Sequence, residues 1–275
     1  MNSQYFAQYL LNAGILSSEK AEQLLQTAQQ VKAEIPLLAL MQGILPAEEA
    51  QALLSAGSEG SSGLTEAQIR NLKEMVTDEG CRFAQAMLDT KITDLVGLAK
   101  MLAEYEQRTE NPVWEAVKLA AGREIEEELA YYSEYAELFL QSMVRFMDLP
   151  GIIDIAAMPY AAEQPSHLVS QRMSGDVNMV GGVQAEDAVF LELSRRYSRE
   201  NLQAVDLMSI DSVGEFLNVM NGLFAVKLGK RQLDVDLELP RWEKNIQPEA
   251  MKLLKLSVMT AAGRFCMVLS ADEFL

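Results

Sequence analysis

The sequence predicts an α+β fold in which small all-helical units precede an antiparallel sheet with helices on one face. Short helices and glycine-containing turns repeat within residues 1–107. Segments of alternating apolar and polar residues, separated by Pro and Gly, begin after Pro150. Residues 253–259 and 264–269 have the pattern of a closing hairpin. Because the helical repeats come before the strands, the two element types segregate along the chain, which is typical of the α+β class.

The composition indicates a folded, strongly acidic protein. The 275 residues are 49% hydrophobic and 23% charged, with a formal net charge of −17. Such a surface repels phosphodiester backbones and anionic lipids, so we expect no nucleic-acid or membrane partner. Cys81 and Cys266 lie outside any CxxC or Cys/His cluster, so we expect neither a zinc site nor a disulfide framework. Because the sequence shows no signal-peptide pattern and no apolar run of about 18 residues, we expect a cytoplasmic protein.

The N-terminal part contains an internal repeat. Residues 14–25 recur as residues 43–54, each a glycine turn leading into a new helix with an acidic first turn. Residues 63–66 and 91–94 form a looser pair, and a Gly/Ser-rich linker, 55–63, separates the two units. The predicted organisation is a helical repeat unit at 1–57, a second helical unit at 63–110, a connecting helix at 111–131 and a sheet-containing domain at 132–275.

The first repeat resembles the N-terminal domain of type II secretion and type IV pilus ATPases, which has the same LLxxGxLSxExAxxLL rhythm. One branch of that group binds cyclic di-GMP through an Arg-Leu-Gly stretch that enters each repeat. Here residues 5–7 read Tyr-Phe-Ala and residues 35–37 read Ile-Pro-Leu, while residues 82–84 read Arg-Phe-Ala. We therefore expect a protein-interaction or structural role for these units, without cyclic di-GMP binding.

The later elements are predicted from periodicity and from Pro and Gly. Residues 123–149 are predicted to be one helix that ends at Pro150, and residues 198–210 a second helix. The predicted strands are 152–157, 167–173, 177–183, 188–193, 233–239, 253–259 and 264–269. His167 is the only histidine and has no other ligand-type residue at a suitable spacing, so we interpret it as a structural residue.

Residues 211–222, DSVGEFLNVMNG, predict a helix with two unlike faces. At about 100° per residue, the apolar residues gather on one side, while Asp211, Glu215, Asn218 and Gly222 fall on the other. Gly214 and Gly222 are each expected to destabilise the helix by roughly 1 kcal/mol relative to alanine. We interpret the two glycines as sites of close approach by another molecule.

A purely structural interpretation of the same residues is open. Ser212 and Glu215 have the S-x-x-E spacing of a capping box, in which the glutamate bonds back to the N-cap amide. In that case Glu215 has no chemical role.

The spacing of these residues resembles the signature of the CheX/CheC family of chemotaxis phosphatases. Three residues separate Asp211 from Glu215, two separate Glu215 from Asn218, and Pro240 follows. Pro240 departs from the family spacing by about one residue. The resemblance covers residues 132–275 and implies hydrolysis of the aspartyl phosphate on a CheY-like response-regulator receiver. It implies that Asn218 positions the attacking water and that Glu215 pairs with a lysine of the receiver. Asp211 and Gly222 are then candidate partner-binding positions.

The resemblance also implies that the receiver supplies Mg²⁺ and that this chain has no cofactor or metal of its own. In two-site members of the family, the first helix of the fold carries a second Glu/Asn pair. Here Ser133, Glu137 and Leu140 occupy those places, so we expect a single site. A noncatalytic receiver-binding adaptor is the alternative, because flagellar motor switch proteins share the fold without needing the pair. The sequence leaves a homodimer open.

The remaining sequence offers no other catalytic set. Neither a Ser or Cys nucleophile beside a histidine nor a GxxxxGK loop is present, so covalent catalysis and nucleotide hydrolysis lack their usual groups. A carboxamide can donate one hydrogen bond and accept another, which suits a residue that holds a water in line with a phosphoryl group.

Overall fold

A computed structural model of the chain describes residues 5–56, 63–121, 125–157 and 166–272. The chain divides into two compact units, Met1–Pro112 and Val113–Leu275. The first is helical in its described part, and the second combines helices with an antiparallel sheet, so the predicted α+β class is confirmed. The finer division of the N-terminal part into two helical units and a connecting helix stays a prediction.

The first unit is a series of short helices. Its described helices are α1 (Phe6–Asn12), α2 (Ser18–Ala28), α3 (Ile35–Met41), α4 (Ala47–Ala56), α5 (Glu66–Lys73), α6 (Glu79–Asp89) and α7 (Leu95–Glu106). Apolar side chains from α1, α2, α3, α6 and α7 are almost completely buried. Burial of these faces holds the short helices together, since each alone is too short to be stable in water.

Three helix–helix turns in this unit share one geometry. Gly14, Gly43 and Lys91 have φ of 67°, 65° and 57°, in the left-handed region. In each turn, the backbone N–H of that residue donates to the carbonyl three residues earlier. The turn at 91–94 therefore matches the turns at Gly14 and Gly43, with lysine in the glycine position. By contrast, Gly63, at the start of the segment that the sequence pairs with 91–94, has φ of 103°.

Replacing Lys91 by glycine is expected to stabilise the first unit. A side chain with a Cβ costs roughly 1–2 kcal/mol in the left-handed conformation, and part of this cost is recovered on going to glycine. We expect the midpoint of the thermal transition of this unit to rise in Lys91→Gly, as measured by differential scanning calorimetry. The matched control is Lys91→Ala, which removes the long side chain but keeps the Cβ. Equal stabilisation by both variants would show that backbone strain is not the cause.

The second unit has four helices and seven strands in its described part. The helices are α8 (Pro112–Ala120), which starts at the unit boundary, α9 (Leu129–Met147), α10 (Asp187–Ser198) and α11 (Leu207–Gly229). The strands are β1 (Gly151–Ile153), β2 (Ser166–Gly175), β3 (Met179–Glu186), β4 (Val235–Leu237), β5 (Arg241–Lys244), β6 (Leu253–Thr260) and β7 (Gly263–Ser270).

The seven described strands form one sheet in the order β1-β6-β7-β3-β2-β4, and β5 also pairs with β2. All pairings are antiparallel. In one long hairpin, β6 pairs with β7 from Leu253↔Ser270 to Thr260↔Gly263. On the other side of the sheet, β2 pairs first with β4 at residues 173–175 and then with β5 at residues 167–170. Residues 238–240 interrupt this edge, and the interruption lies beside α11.

The core of the second unit lies between one face of the sheet and helices α9, α10 and α11. A contiguous set of apolar side chains lines its centre: Phe139, Met143, Met147, Val183, Leu193, Val213, Phe216 and Phe265. The Tyr135 side chain on α9 approaches the sheet closely at Gly181 in β3, where an added Cβ would lie 2.1 Å from the Tyr135 hydroxyl oxygen. The glycine is therefore required for this close approach.

Several predicted elements are wrong. Residues 188–193, predicted as a strand, lie inside α10, because Phe190, Leu193 and Ser194 are buried at helical spacing. The helix predicted at 198–210 is wrong for residues 199–206, since α10 ends at Ser198 and α11 begins at Leu207. Residues 123 and 124 of the predicted helix 123–149 lie outside the described residues, and in its described part the α-helix begins only at Leu129, after a turn at residues 126–128. The strand predicted at 152–157 is limited to β1 and is followed by a 3₁₀ turn, Ile155–Ala157.

Other predictions agree with the structure. β2, β3, β6 and β7 overlap the predicted strands, and β4 lies inside the predicted 233–239 segment. Strand β5, with the sequence RWEK, was not predicted, because its four residues are all exposed and show no apolar alternation. Edge pairing to β2 holds it in place.

Candidate functional site

The candidate site lies on α11, which begins earlier than the sequence predicts. Asp206 is the N-cap residue, and its carboxylate accepts hydrogen bonds from the N–H groups of Met208 and Ser209. The Ser209 side chain closes a capping box with Asp206. Ser212 lies inside the helix and donates its hydroxyl to the Met208 carbonyl. The interpretation of Ser212 and Glu215 as a capping box is therefore wrong, and Glu215 is free of that structural role.

The structure shows two unlike faces on α11. The buried face includes Val213, Phe216, Leu217, Met220 and Phe224, and the predicted core residue Leu223 is half-buried. Asp211, Glu215 and Asn218 are exposed, and Gly222 is half-buried at the same side. We call these last four residues the polar strip. The four predicted positions therefore do lie along one side of the helix.

Gly214 and Gly222, the two glycines of α11 that the sequence analysis interprets, differ in their surroundings. A Cβ at Gly214 would lie 3.5 Å from Pro240, so the neighbour of this glycine is a proline of the same chain. A Cβ at Gly222 would meet no atom within 4 Å. The interpretation that both glycines admit another molecule is thus wrong for Gly214. Of these two glycines, only Gly222 leaves open space, while Pro240 fixes the loop after β4 against the helix.

Asn218 is exposed, yet a buried side chain holds its carboxamide. Gln171 of β2 donates from Nε2 to Asn218 Oδ1 at 2.9 Å and to the Glu238 carbonyl at 2.7 Å. Asn221 donates from Nδ2 to Gln171 Oε1 at 2.7 Å. The Tyr135 hydroxyl donates to Asn221 Oδ1 at 2.8 Å. A continuous chain of hydrogen bonds therefore runs from α9 through β2 to the polar strip.

Three members of this chain of hydrogen bonds, Gln171, Asn221 and Tyr135, were not predicted. Gln171 lies in the middle of a strand that is buried almost throughout, and only the tertiary fold brings it to α11. Asn221 lies on the buried side of α11, and a carboxamide among apolar residues was the signal that could have identified it.

Charged and aromatic groups flank the strip. Burial, and the negative charge of Glu215, raise the pKa of Tyr197, whose ring packs edge-on against Phe216 at 5.8 Å. This hydroxyl therefore stays protonated beside Glu215. On the other side, Glu238 accepts from Arg241 at 2.8 Å.

Four exposed apolar side chains surround the strip. Leu207 is 77% exposed and Met208 is 55% exposed at the start of α11, and Val226, one turn beyond Gly222, is 61% exposed. Leu239, next to Pro240, is 86% exposed. We call these four residues the apolar rim. Single exposed apolar residues are common, but four around one polar strip indicate an interaction surface.

The corresponding positions on α9 do not form a second exposed site. Ser133 and Leu140 are buried, and Glu137 accepts a hydrogen bond from Trp114 Nε1 at 2.9 Å. Leu140 packs near Gly151 of β1. The expectation of a single site stays a prediction.

His167 is a packed residue of β2. Its Nε2 lies 2.7 Å from Asp187 Oδ1, and Trp242 Nε1 donates to its Nδ1 at 3.2 Å. Its ring also packs on Phe190 at 5.0 Å. These contacts tie β2 to α10 and β5, as expected of a structural histidine.

The described residues contain no group of three or more His, Cys, Asp or Glu side chains placed to hold a metal ion. Cys81 and Cys266 are free and buried. Burial raises the pKa of Cys266 to about 12 and that of Cys81 well above its usual range. Neither is a reactive thiol in the folded chain. Across the parts of the chain that the structure covers, every helix is too short or too polar to cross a bilayer.

Comparison with known proteins gives matches among solved structures. No protein-family model matches the chain, and no curated protein matches it either. The resemblance of the first repeat to secretion ATPases is therefore unsupported. The chemotaxis protein CheX from Desulfovibrio desulfuricans is similar with 15% identity and a TM-score of 0.40, over 50% of this chain and 97% of that one.

Two further structures show the same range of similarity. CheX from Vibrio vulnificus has 12% identity and a TM-score of 0.40, over 55% of this chain and 99% of its own. A CheX–CheY–BeF₃–Mg²⁺ complex from Borrelia burgdorferi has 13% identity and a TM-score of 0.38, over 50% of this chain and 95% of the matched chain. At these identities and TM-scores, the similarity assigns no function to the chain.

Proposed function

We propose that the polar strip of α11 hydrolyses the aspartyl phosphate of a response-regulator receiver domain. The observation that carries the proposal is the exposed carboxamide of Asn218, whose Oδ1 accepts a hydrogen bond from the buried Gln171 side chain. The exposed carboxylate of Glu215 lies one turn away on the same side of the helix. The spacing of the two residues also matches the phosphatase motif that the sequence resembles.

The free groups of Asn218 suit a residue that positions water. Gln171 occupies one lone pair of Oδ1, which leaves the second lone pair and both Nδ2 hydrogens for other partners. A water held by these groups can attack the phosphorus in line with the aspartyl oxygen. The new bond joins the water oxygen to phosphorus, and the bond between phosphorus and the aspartyl oxygen breaks. The aspartate leaves as a carboxylate, and the inorganic phosphate keeps both protons of the water. Mg²⁺ bound by the receiver would supply the positive charge that neutralises the phosphoryl oxygens.

Glu215 is available to a cation of the partner. Among the described residues it has no ion-pair partner, and its carboxylate is exposed. A lysine of the receiver is the proposed partner, and the pair would fix the register between the two proteins. The apolar rim supplies the desolvated contacts that a specific interface needs around its polar centre.

The proposal is tested by receiver dephosphorylation. A panel of receiver domains is charged with acetyl phosphate in Mg²⁺, and loss of phosphate is followed with and without the full-length chain. We expect accelerated loss for at least one receiver, and equal acceleration by residues 113–275 alone, because the whole strip belongs to the second unit. A receiver that binds tightly but keeps its phosphate would instead identify a noncatalytic adaptor.

A further inference from the structure

We propose that Gln171, Asn221 and Tyr135 are positioning residues that fix which end of the Asn218 carboxamide faces the partner. The inference rests on the proposed function, since it concerns the same site. It assigns a role to three buried polar residues outside the motif. None of the three touches the reacting atoms, and all act through Asn218.

The direction of every hydrogen bond follows from one backbone carbonyl. The Glu238 carbonyl can only accept, so the Gln171 side-chain nitrogen must point towards it. The second hydrogen of that nitrogen then goes to Asn218, which must accept with Oδ1. The Nδ2 group of Asn218 is thereby turned away from the sheet.

The rest of the network follows the same direction. Because the Gln171 side-chain nitrogen donates to Glu238 and Asn218, its Oε1 faces Asn221, which must donate from Nδ2. Asn221 Oδ1 then faces the Tyr135 hydroxyl, which must donate. Burial raises the pKa of Tyr135 well above its usual range, so this hydroxyl keeps its proton at any working pH. The Glu238 carbonyl therefore sets a single orientation for the chain of hydrogen bonds, and the Tyr135 hydroxyl completes it as a donor.

The network is an unfavourable way to fill a core. Gln171 is 1% exposed, and Asn221 and Tyr135 are fully buried. Burial of polar groups costs free energy that apolar residues of similar size would not cost. The sheet also carries Gly181, which weakens a strand, to admit the Tyr135 hydroxyl. Such a fully satisfied network within an apolar core is the kind of arrangement that fixes one geometry.

The consequence for Asn218 is a restricted rotation about χ2. An exposed asparagine samples two broad, nearly equivalent orientations of its amide. The Gln171 donor selects one of them. Without it, Asn218 presents the correct groups to the water only part of the time, and misplacement by about 1 Å can cost on the order of 100-fold in rate.

The test uses the full-length chain with ¹⁵N-labelled asparagine and three variants. Gln171→Met removes the donor, and Tyr135→Phe removes only the distant hydroxyl. Tyr132→Phe is the matched control, because Tyr132 is equally buried on α9 and donates to the Lys252 carbonyl, outside the network. Side-chain amide relaxation of Asn218 and the kcat and KM for receiver dephosphorylation are measured for each.

We expect the order parameter of the Asn218 side-chain amide to fall from about 0.8 in the wild type to below about 0.6 in Gln171→Met. The kcat of Gln171→Met should fall by about 30-fold with little change in KM. Tyr135→Phe should show the same changes on a smaller scale, about 3-fold in kcat, and Tyr132→Phe should show neither.

An Asn218 amide that stays equally ordered in Gln171→Met would overturn the inference, as would equal kcat losses in Tyr135→Phe and Tyr132→Phe. If Gln171→Met does not fold, Tyr135→Phe decides, because it leaves both Gln171 donors in place. Should the wild type dephosphorylate no receiver, the proposed function fails, while the relaxation measurement still decides whether the network orients Asn218.

Discussion

Asn218→Ala is expected to lower the rate constant for receiver dephosphorylation by about 100-fold or more. Removal of one preoriented hydrogen-bonding group from the transition state of an enzyme typically has an effect of this size. The fold should persist. Gln171 keeps its bond to the Glu238 carbonyl, and alanine has a higher helix propensity than asparagine. We therefore expect the free energy of unfolding to change by less than about 1 kcal/mol.

The measurements for this variant are phosphate-release kinetics, receiver affinity and thermal unfolding. Asn178→Ala is the matched control, because Asn178 is an exposed asparagine between β2 and β3 of the same unit. Glu215→Gln is the informative comparison, since it removes only a charge and should mainly weaken receiver binding. Wild-type turnover in Asn218→Ala would contradict the proposed phosphatase function and favour a noncatalytic receiver-binding adaptor.

Gly181→Ala is expected to destabilise the second unit by about 3 kcal/mol. The new Cβ would overlap the Tyr135 hydroxyl, and overpacking of a core costs about 1–3 kcal/mol. The Tyr135 side chain can move only by giving up its hydrogen bond to Asn221, worth about 1 kcal/mol more. Calorimetry of the full chain should show a lower midpoint for this unit. Gly229→Ala is the control, because no atom lies within 4 Å of its Cβ position.

A double variant isolates the cause of that loss. Tyr135→Phe removes the atom nearest to the added Cβ, so Gly181→Ala should cost less in the Tyr135→Phe background than in the wild type. Strictly additive effects of the two substitutions would show that the close approach is not what requires a glycine in β3.

Local patterns predicted the helix faces and most strands, and tertiary contacts explain the errors. The two faces of α11 follow from helical periodicity, which is a property of neighbouring residues. The segment 188–193 is a short apolar run, for which periodicity does not separate helix from strand. The helix forms there because Phe190 and Leu193 both meet the core from one side.

The motif residues could be predicted and their supporting residues could not. Asp211, Glu215 and Asn218 lie within two turns of one helix, so their common side is visible in the sequence. Gln171 is brought to Asn218 by packing of β2 against α11, which no local pattern encodes. The start of α11 shows the same limit, since Ser212 and Glu215 have the capping spacing, but Asp206 and Ser209 form the actual cap.

The interruption between β4 and β5 also protects an open sheet edge. An uninterrupted edge strand presents a row of free N–H and C=O groups that invites pairing with a strand of another molecule. Here Glu238 turns its carbonyl to the Gln171 side chain, and Pro240 has no N–H to offer. The following strand, RWEK, is short and carries three charged side chains. The same irregular segment that orients Asn218 therefore makes this edge a poor template for aggregation.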